Sequence, residues 1–152
     1  MLDPLDLKLL AALQADSSQT AQALADRLAM SASQVGRRRQ RLEAEGYIAG
    51  YHARLAPPRL GLHVEAFIQV VMAHHTAENA RDFLRLTRSA PQIVGAWTLT
   101  GDADYLLRVF CGDLRDLNAL VQDVLLAHPA VSRVQSRIVM ERIKSDAPLP
   151  LG

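Results

Sequence analysis

The sequence predicts an α+β protein in two parts, a helical N-terminal part and a C-terminal part of alternating strands and helices. Three observations carry this. Apolar residues recur at helical spacing as far as Glu45 and switch to β-branched and aromatic runs after His63. Between them, Ala56-Pro57-Pro58-Arg59-Leu60-Gly61 punctuates the chain as a hinge. The second part then reads strand, helix, strand, strand, helix, strand. The expected division is 1–55, a hinge at 56–62, and 63–152.

The first helix should start at Asp3-Pro4, because Asp caps well and Pro is tolerated at the first helical position. Leu9, Leu10 and Leu13 give it an apolar stripe. A second helix is predicted from Thr20 to Leu28, with Ala21, Leu24, Ala25 and Leu28 on one face. Ser31 should cap a third helix from Ala32 to Glu45, ended by Gly46 in a left-handed conformation. Tyr47–Arg54, two short strand-like pieces around Gly50, read as a β-hairpin.

In the second part, strands are predicted at His63–Ala73, Ile93–Thr100, Tyr105–Cys111 and Val131–Ile143. A helix at Ala77–Arg88 should bury Ala80, Phe83, Leu84 and Thr87. A second, at Leu114–Ala127, should bury Leu114, Leu117, Val121, Val124 and Leu125. The βαββαβ order is that of the ferredoxin-like arrangement, an antiparallel sheet with both helices on one face. Val64, Ala66, Ile68 and Val70 alternate with Phe67 and Val71, so the first strand is apolar on both faces. The face away from the helices needs cover, most simply from a second copy of the chain.

Composition narrows the function. The chain has 152 residues, 49% hydrophobic and 22% charged, as expected of a folded domain. Apolar runs are far shorter than the roughly 20 residues of a membrane helix. The opening MLDPLDLK carries acids and no basic stretch, so no secretory signal is expected. The single cysteine, Cys111, excludes an internal disulfide and reads as a half-buried strand thiol. A cytoplasmic location is expected. The histidines at 52, 63, 74, 75 and 128 lack metal-ligand spacing, so neither metal nor cofactor is expected. No nucleophile motif or phosphate loop is present, and no catalytic residue is assigned.

Net charge is +1, but its distribution is uneven. Residues 1–60 carry eight Lys/Arg against six Asp/Glu, with Arg37, Arg38, Arg39 and Arg41 close together. The short helix, tight turn and longer helix of residues 20–45 match the DNA-reading helix–turn–helix, and the predicted hairpin makes it winged. Ser31, Ser33, Gln34, Arg37 and Arg38 would face the major groove of double-stranded DNA, with Arg41 and Arg54 on flanking phosphates.

These residues and their spacing resemble the Lrp/AsnC (feast/famine) transcription regulators. The N-terminal part shows Leu2-Asp3-x-x-Asp6, Leu9-Leu10, Leu24-Ala25, Met30-Ser31, Val35, Arg38, Leu42-Glu43, Gly46-Tyr47-Ile48 and Gly50-Tyr51. The C-terminal part shows Thr100-Gly101-Asp102-x-Asp104-Tyr105-Leu106-Leu107, His128-Pro129-x-Val131, Ser136, Ile138-Val139, Ile143-Lys144 and Pro148-Leu149-Pro150-Leu151.

The resemblance implies a DNA-binding regulator that senses a small effector, an amino acid, and forms homodimers that assemble to an octamer. It implies effector contacts from Ala96, Trp97, Thr98, Leu99, Thr100, Gly101 and Asp102, and from Leu120, Val121, Gln122, Asp123 and Val124. Asp102 or Asp104 would meet the effector's ammonium group. Two departures mark this chain: Ala103 stands where the family usually has an aromatic residue, and Trp97 lies beside the site. Two alternatives share the plan, a sirohaem-decarboxylase-like enzyme and a sensor that no longer binds DNA. The enzyme would need histidines gathered in the second part, and they do not cluster there.

Overall fold

A computed structural model of the chain describes residues 1–145 and 147–151. It divides into two compact units, Met1–Arg54 with Ile143–Gly152, and Leu55–Arg142. Residues 143–145 and 147–151 therefore belong with the N-terminal unit, whereas the sequence placed them in the C-terminal part. The Leu149 backbone bonds to Gln14, and Leu151 packs on the apolar core of the helices.

In the first unit, α1 spans Pro4–Ala15, α2 Ala21–Leu28 and α3 Ala32–Ala44. Each begins where a side-chain oxygen satisfies an otherwise orphaned amide. Asp3 accepts from the Asp6 N–H, Thr20 from that of Ala23 and Ser31 from that of Gln34. At α1 and α3 the third helical residue bonds back to the cap, closing a capping box. The stripe predicted on α1 meets Leu24, Ala25, Val35 and Leu42 in one buried core. Ala29 turns left-handed between α2 and α3, and Gly46 at φ +77° lets the Tyr47 and Ile48 amides reach the Leu42 carbonyl.

The predicted hairpin at Tyr47–Arg54 is absent: these residues form no strand. Two pieces of three or four residues offer few ladder bonds, and isolated two-stranded hairpins are marginal. Side chains hold the segment instead. The Tyr51 hydroxyl donates to Glu43 at 2.8 Å, and the Arg39 guanidinium lies 4.5 Å from the centre of the Tyr51 ring.

In the second unit, a 3₁₀ turn at Pro57–Leu60 leads into β1 (Val64–Met72), α4 (Ala77–Ser89), β2 (Ile93–Thr98), β3 (Tyr105–Cys111), α5 (Leu114–Ala119) and β4 (Val131–Ile138). The sheet order is β2-β3-β1-β4, with every pairing antiparallel. Ala66, Ile68 and Val70 lie opposite Val109, Leu107 and Tyr105 and form the core with Phe83, Leu117, Leu120 and Leu125. Phe67, Gln69 and Val71 alternate onto the other face, joined by Arg133, Gln135 and Arg137 of β4.

Several boundaries and faces differ from expectation. The second helix of this unit is α-helical only to Ala119 and then widens into π-helical turns at Leu120–Leu125. Leu114 is exposed at its first turn. In α4, Leu84 is exposed, and Leu86 packs on the core in its place. The strands β2 and β4 stop short of Thr100 and Ile143. Both are edge strands, with one neighbour each to sustain pairing. Cys111 is fully buried rather than half-buried, and that burial pushes its thiol above the ordinary range.

Candidate nucleic-acid interface and effector cleft

The start of α3 is ordered by its own polar groups. The Gln34 Oε1 accepts from the Ser31 N–H at 3.0 Å, and the Ser31 and Ser33 hydroxyls lie 3.0 Å apart. Ser33, Gln34 and Arg37 fall within one helical turn and are exposed. Arg37 has no ion-pair partner among the described residues.

The other arginines are engaged. Arg38 Nη1 sits 2.6 Å from an Asp3 oxygen and 2.7 Å from Asp6 Oδ1. Arg41 Nη2 sits 2.6 Å from Asp6 Oδ2, which also accepts the Asp3 N–H. Asp6 is wholly buried. Burial pushes its carboxyl upward, but the Asp3 N–H and the two guanidinium groups outweigh that and hold it below the ordinary range. Arg38 and Arg41 thus tie α3 to the first turn of α1. Arg39 lies 3.1 Å from Glu43. Arg54 is exposed and engaged in interactions of its own.

Sequence reasoning placed Arg38 and Arg41 toward DNA and missed their carboxylate partners. The signal was present in Asp3-x-x-Asp6 and in two arginines one helical turn apart. Only the folded unit shows that these faces meet.

In the second unit, Asp102 and Asp104 part company. Asp104 is a bracket: its Oδ2 accepts the Met72 N–H at 2.7 Å, and its N–H donates to the Val70 carbonyl at 3.0 Å. His75 Nδ1 stands 3.7 Å from its other oxygen. The Leu99 N–H to Asp104 carbonyl bond closes the turn, with Gly101 at φ +104°. Asp102 is exposed and opens onto a polar cleft of about 400 Å³. Leu99 and Thr100 line this cleft with Gln69, Val71, Arg133, Gln135 and Arg137. The basic residues of β4 were not singled out from sequence, although Arg133-x-Gln135-x-Arg137 has the period-two spacing of one strand face.

The remaining effector candidates lie elsewhere. Ala96, Trp97 and Thr98 border a second cleft with Phe83, Leu84, Thr87 and Tyr105. Asp123 and Val124 border a third, shallow one beside Asp82, Arg85 and His128. Leu120 is buried, Val121 is partly buried against the core, and Gln122 is exposed. A single chain therefore spreads the expected effector residues over three surfaces.

Among the described residues, no group of His, Cys, Asp and Glu could hold a metal ion, and no helix is long and apolar enough to cross a membrane.

Comparison with known proteins joins the two units. Residues 2–49 match a winged helix-turn-helix DNA-binding model, and residues 65–149 match the Lrp/AsnC ligand binding domain. The chain is 34% identical over 151 residues to the DNA-binding transcriptional activator DecR of Escherichia coli, covering 99% of each. It is 35% identical over 150 residues to the Bkd operon transcriptional regulator of Pseudomonas aeruginosa, covering 99% of this chain and 98% of that one. A crystal structure of a transcriptional regulator from Neisseria meningitidis in complex with L-Met superposes with TM-score 0.95 at 36% identity, covering 99% and 97% of the two chains. These relatives are regulators, so the decarboxylase alternative falls away. With a capped recognition helix in one unit, a four-stranded sensing fold in the other and full-length likeness to regulators, the chain belongs to the Lrp/AsnC family of DNA-binding transcription regulators.

Proposed function

We propose that the first unit reads double-stranded DNA through the start of α3, with Ser31, Ser33, Gln34 and Arg37 at the groove and Arg54 on a flanking phosphate. The observation that carries this is the division of labour on α3. Arg38 and Arg41 are consumed by Asp3 and Asp6, while Arg37 stays exposed beside a pre-ordered Ser-Gln cap. Arginine in that position suits bidentate pairing with guanine or a phosphate contact. The direct test is Arg37→Ala in a gel shift on DNA flanking the protein's own gene. Weaker binding with unchanged thermal stability supports the assignment; unchanged affinity removes Arg37 from the interface.

The second unit is then the sensor, with the 3₁₀ turn at Pro57–Leu60 as the connection between reading and sensing. The effector is an amino acid, as the L-Met complex of the Neisseria relative suggests. It is held where Thr100, Gly101 and Asp102 meet. Arg133 and Arg137 line the same cleft and favour a carboxylate, and Asp102 suits an ammonium group. Trp97 and Asp123 contribute from neighbouring surfaces once copies assemble. Two copies pair through the sheet face carrying Phe67 and Val71, and the dimers build a larger even-numbered assembly, an octamer. The protein works in the cytoplasm, where its DNA is. An effector that prefers one assembly state shifts the population that binds DNA. A thermal-shift screen against the twenty amino acids tests this, because a ligand at 100 times its Kd stabilises by about 2.7 kcal/mol. Silence across all twenty would overturn the amino-acid reading.

A further inference from the structure

The chain passes between its two units twice, after Arg54 and again after Arg142. The second crossing is anchored on its near side. Arg142 Nη2 lies 2.6 Å from Glu65 Oε2, and Arg108 holds the other oxygen of Glu65 at 2.7 Å. On its far side the chain runs through Pro148-Leu149-Pro150-Leu151. Proline has no N–H, so within Pro148–Pro150 only Leu149 can donate a backbone hydrogen bond. Gln14 of α1 takes that donor: its Oε1 accepts the Leu149 N–H at 2.7 Å, and its Nε2 donates to the Leu149 carbonyl at 3.4 Å. Leu149 and Leu151 share a cleft of about 390 Å³ with Leu10, Leu13, Tyr47 and Tyr51.

An aromatic-edged apolar groove with one side-chain amide on the backbone is the chemistry that recognises proline-rich peptides. Such peptides are pre-extended and lose little entropy on docking. We propose that Gln14 and the adjoining apolar surface form a receptor for a Pro-Leu-Pro-Leu segment, that the chain's own C-terminal tail docks there as one wall of the cleft, and that the docked tail is a releasable strap. Because the tail and the Tyr47–His52 segment after α3 wall the same cleft, docking orders that segment beside the DNA-reading helix. This consequence for DNA rests on the DNA-binding reading above; the docking does not. The tether supplies an effective concentration near the millimolar range, so a contact weak between separate molecules stays closed within one chain.

Three proteins test this: the full chain, full-chain Gln14→Ala, and the chain ended after Ser145. Gln14 is exposed on a helix, so alanine there leaves α1 intact. Hydrogen exchange at Tyr47 and Ile48, whose amides bond to the Leu42 carbonyl, should quicken about tenfold or more in both variants while β1 and β3 amides stay unchanged. The synthetic peptide Ala-Pro-Leu-Pro-Leu should restore protection to the shortened chain, but not to a shortened chain that also carries Gln14→Ala. Equal exchange in all three proteins, or no effect of the peptide on the shortened chain, overturns the receptor. Affinity for DNA flanking the protein's own gene should fall several-fold in both variants. Unchanged affinity beside faster exchange overturns the strap's role. A full chain that binds no DNA overturns the DNA-binding reading instead, and exchange still decides the docking.

Discussion

Asp6 is the residue on which the first unit turns. A wholly buried carboxylate is costly unless paired, and here two guanidinium groups and a backbone amide meet it. Removing Arg38 leaves Arg41 in place. Arg38→Ala should therefore cost about 1–3 kcal/mol, less than the full loss of a buried pair, as read by chemical denaturation. Arg37→Ala should cost nothing measurable in the same experiment, and this contrast separates an anchor from a reader. The carboxyls of Asp6 and Asp3 are held below their ordinary range. Their contribution is therefore fully present above the unfolded carboxylate range, and it is lost as pH falls through the lowered folded values. Thermal melts should fall steeply below about pH 4. Asp6→Asn should lower stability at pH 7 yet flatten that acid dependence. An acid limb as steep as wild type in Asp6→Asn would show that Asp6 does not carry the effect.

Among the elements, α3 owes its start to Ser31 and its end to Gly46. Ser31→Ala removes a cap and half of a capping box, and should cost about 1 kcal/mol. Gly46 holds φ +77° with open space around it, so Gly46→Ala meets no clash but is strained by conformation, about 1 kcal/mol. Denaturant midpoints of both variants check these values; a stabilised Gly46→Ala would contradict the left-handed turn. The helix after Asp113 carries the other local surprise. Its switch to π geometry at Leu120 keeps Leu120 and Leu125 on the core and leaves Gln122 and Asp123 outward. The sequence reads there as one continuous apolar-periodic helix. A wider turn changes which residues share a face, and no spacing pattern announces it.

For the molecule as a whole, the sheet is the surface to test. Phe67 sits among Arg108, Arg137 and Glu65 on the face away from the helices, only partly buried. Phe67→Ala should shift the sedimenting species from the proposed dimer toward monomer at micromolar concentration, because truncating a central aromatic anchor removes the contact area it would bury. A variant that sediments as the wild type does would move the interface elsewhere. DNA affinity of the full assembly should fall linearly with log salt, with a slope that Arg37→Ala shallows by about 1.

The sequence by itself determined most of the elements, because caps, turn glycines and apolar periods are local. Asp3, Thr20, Ser31 and Gly46 each mark a boundary that the structure keeps. It also determined the βαββαβ order and the family, since both are written in spacing along the chain. Only the tertiary structure decided what depends on residues far apart. Arg38 and Arg41 meet Asp3 and Asp6 across more than thirty positions, so two arginines expected at DNA also anchor α3 to α1. Asp104, in the expected effector turn, also brackets β1, while Arg133 and Arg137 reach the neighbouring cleft from β4. The tail joins the first unit through a bond between residues 135 positions apart. Local rules describe the chain's neighbours in sequence. Buried charge and packing are satisfied by neighbours in space, and for those the fold is the first place the partners appear.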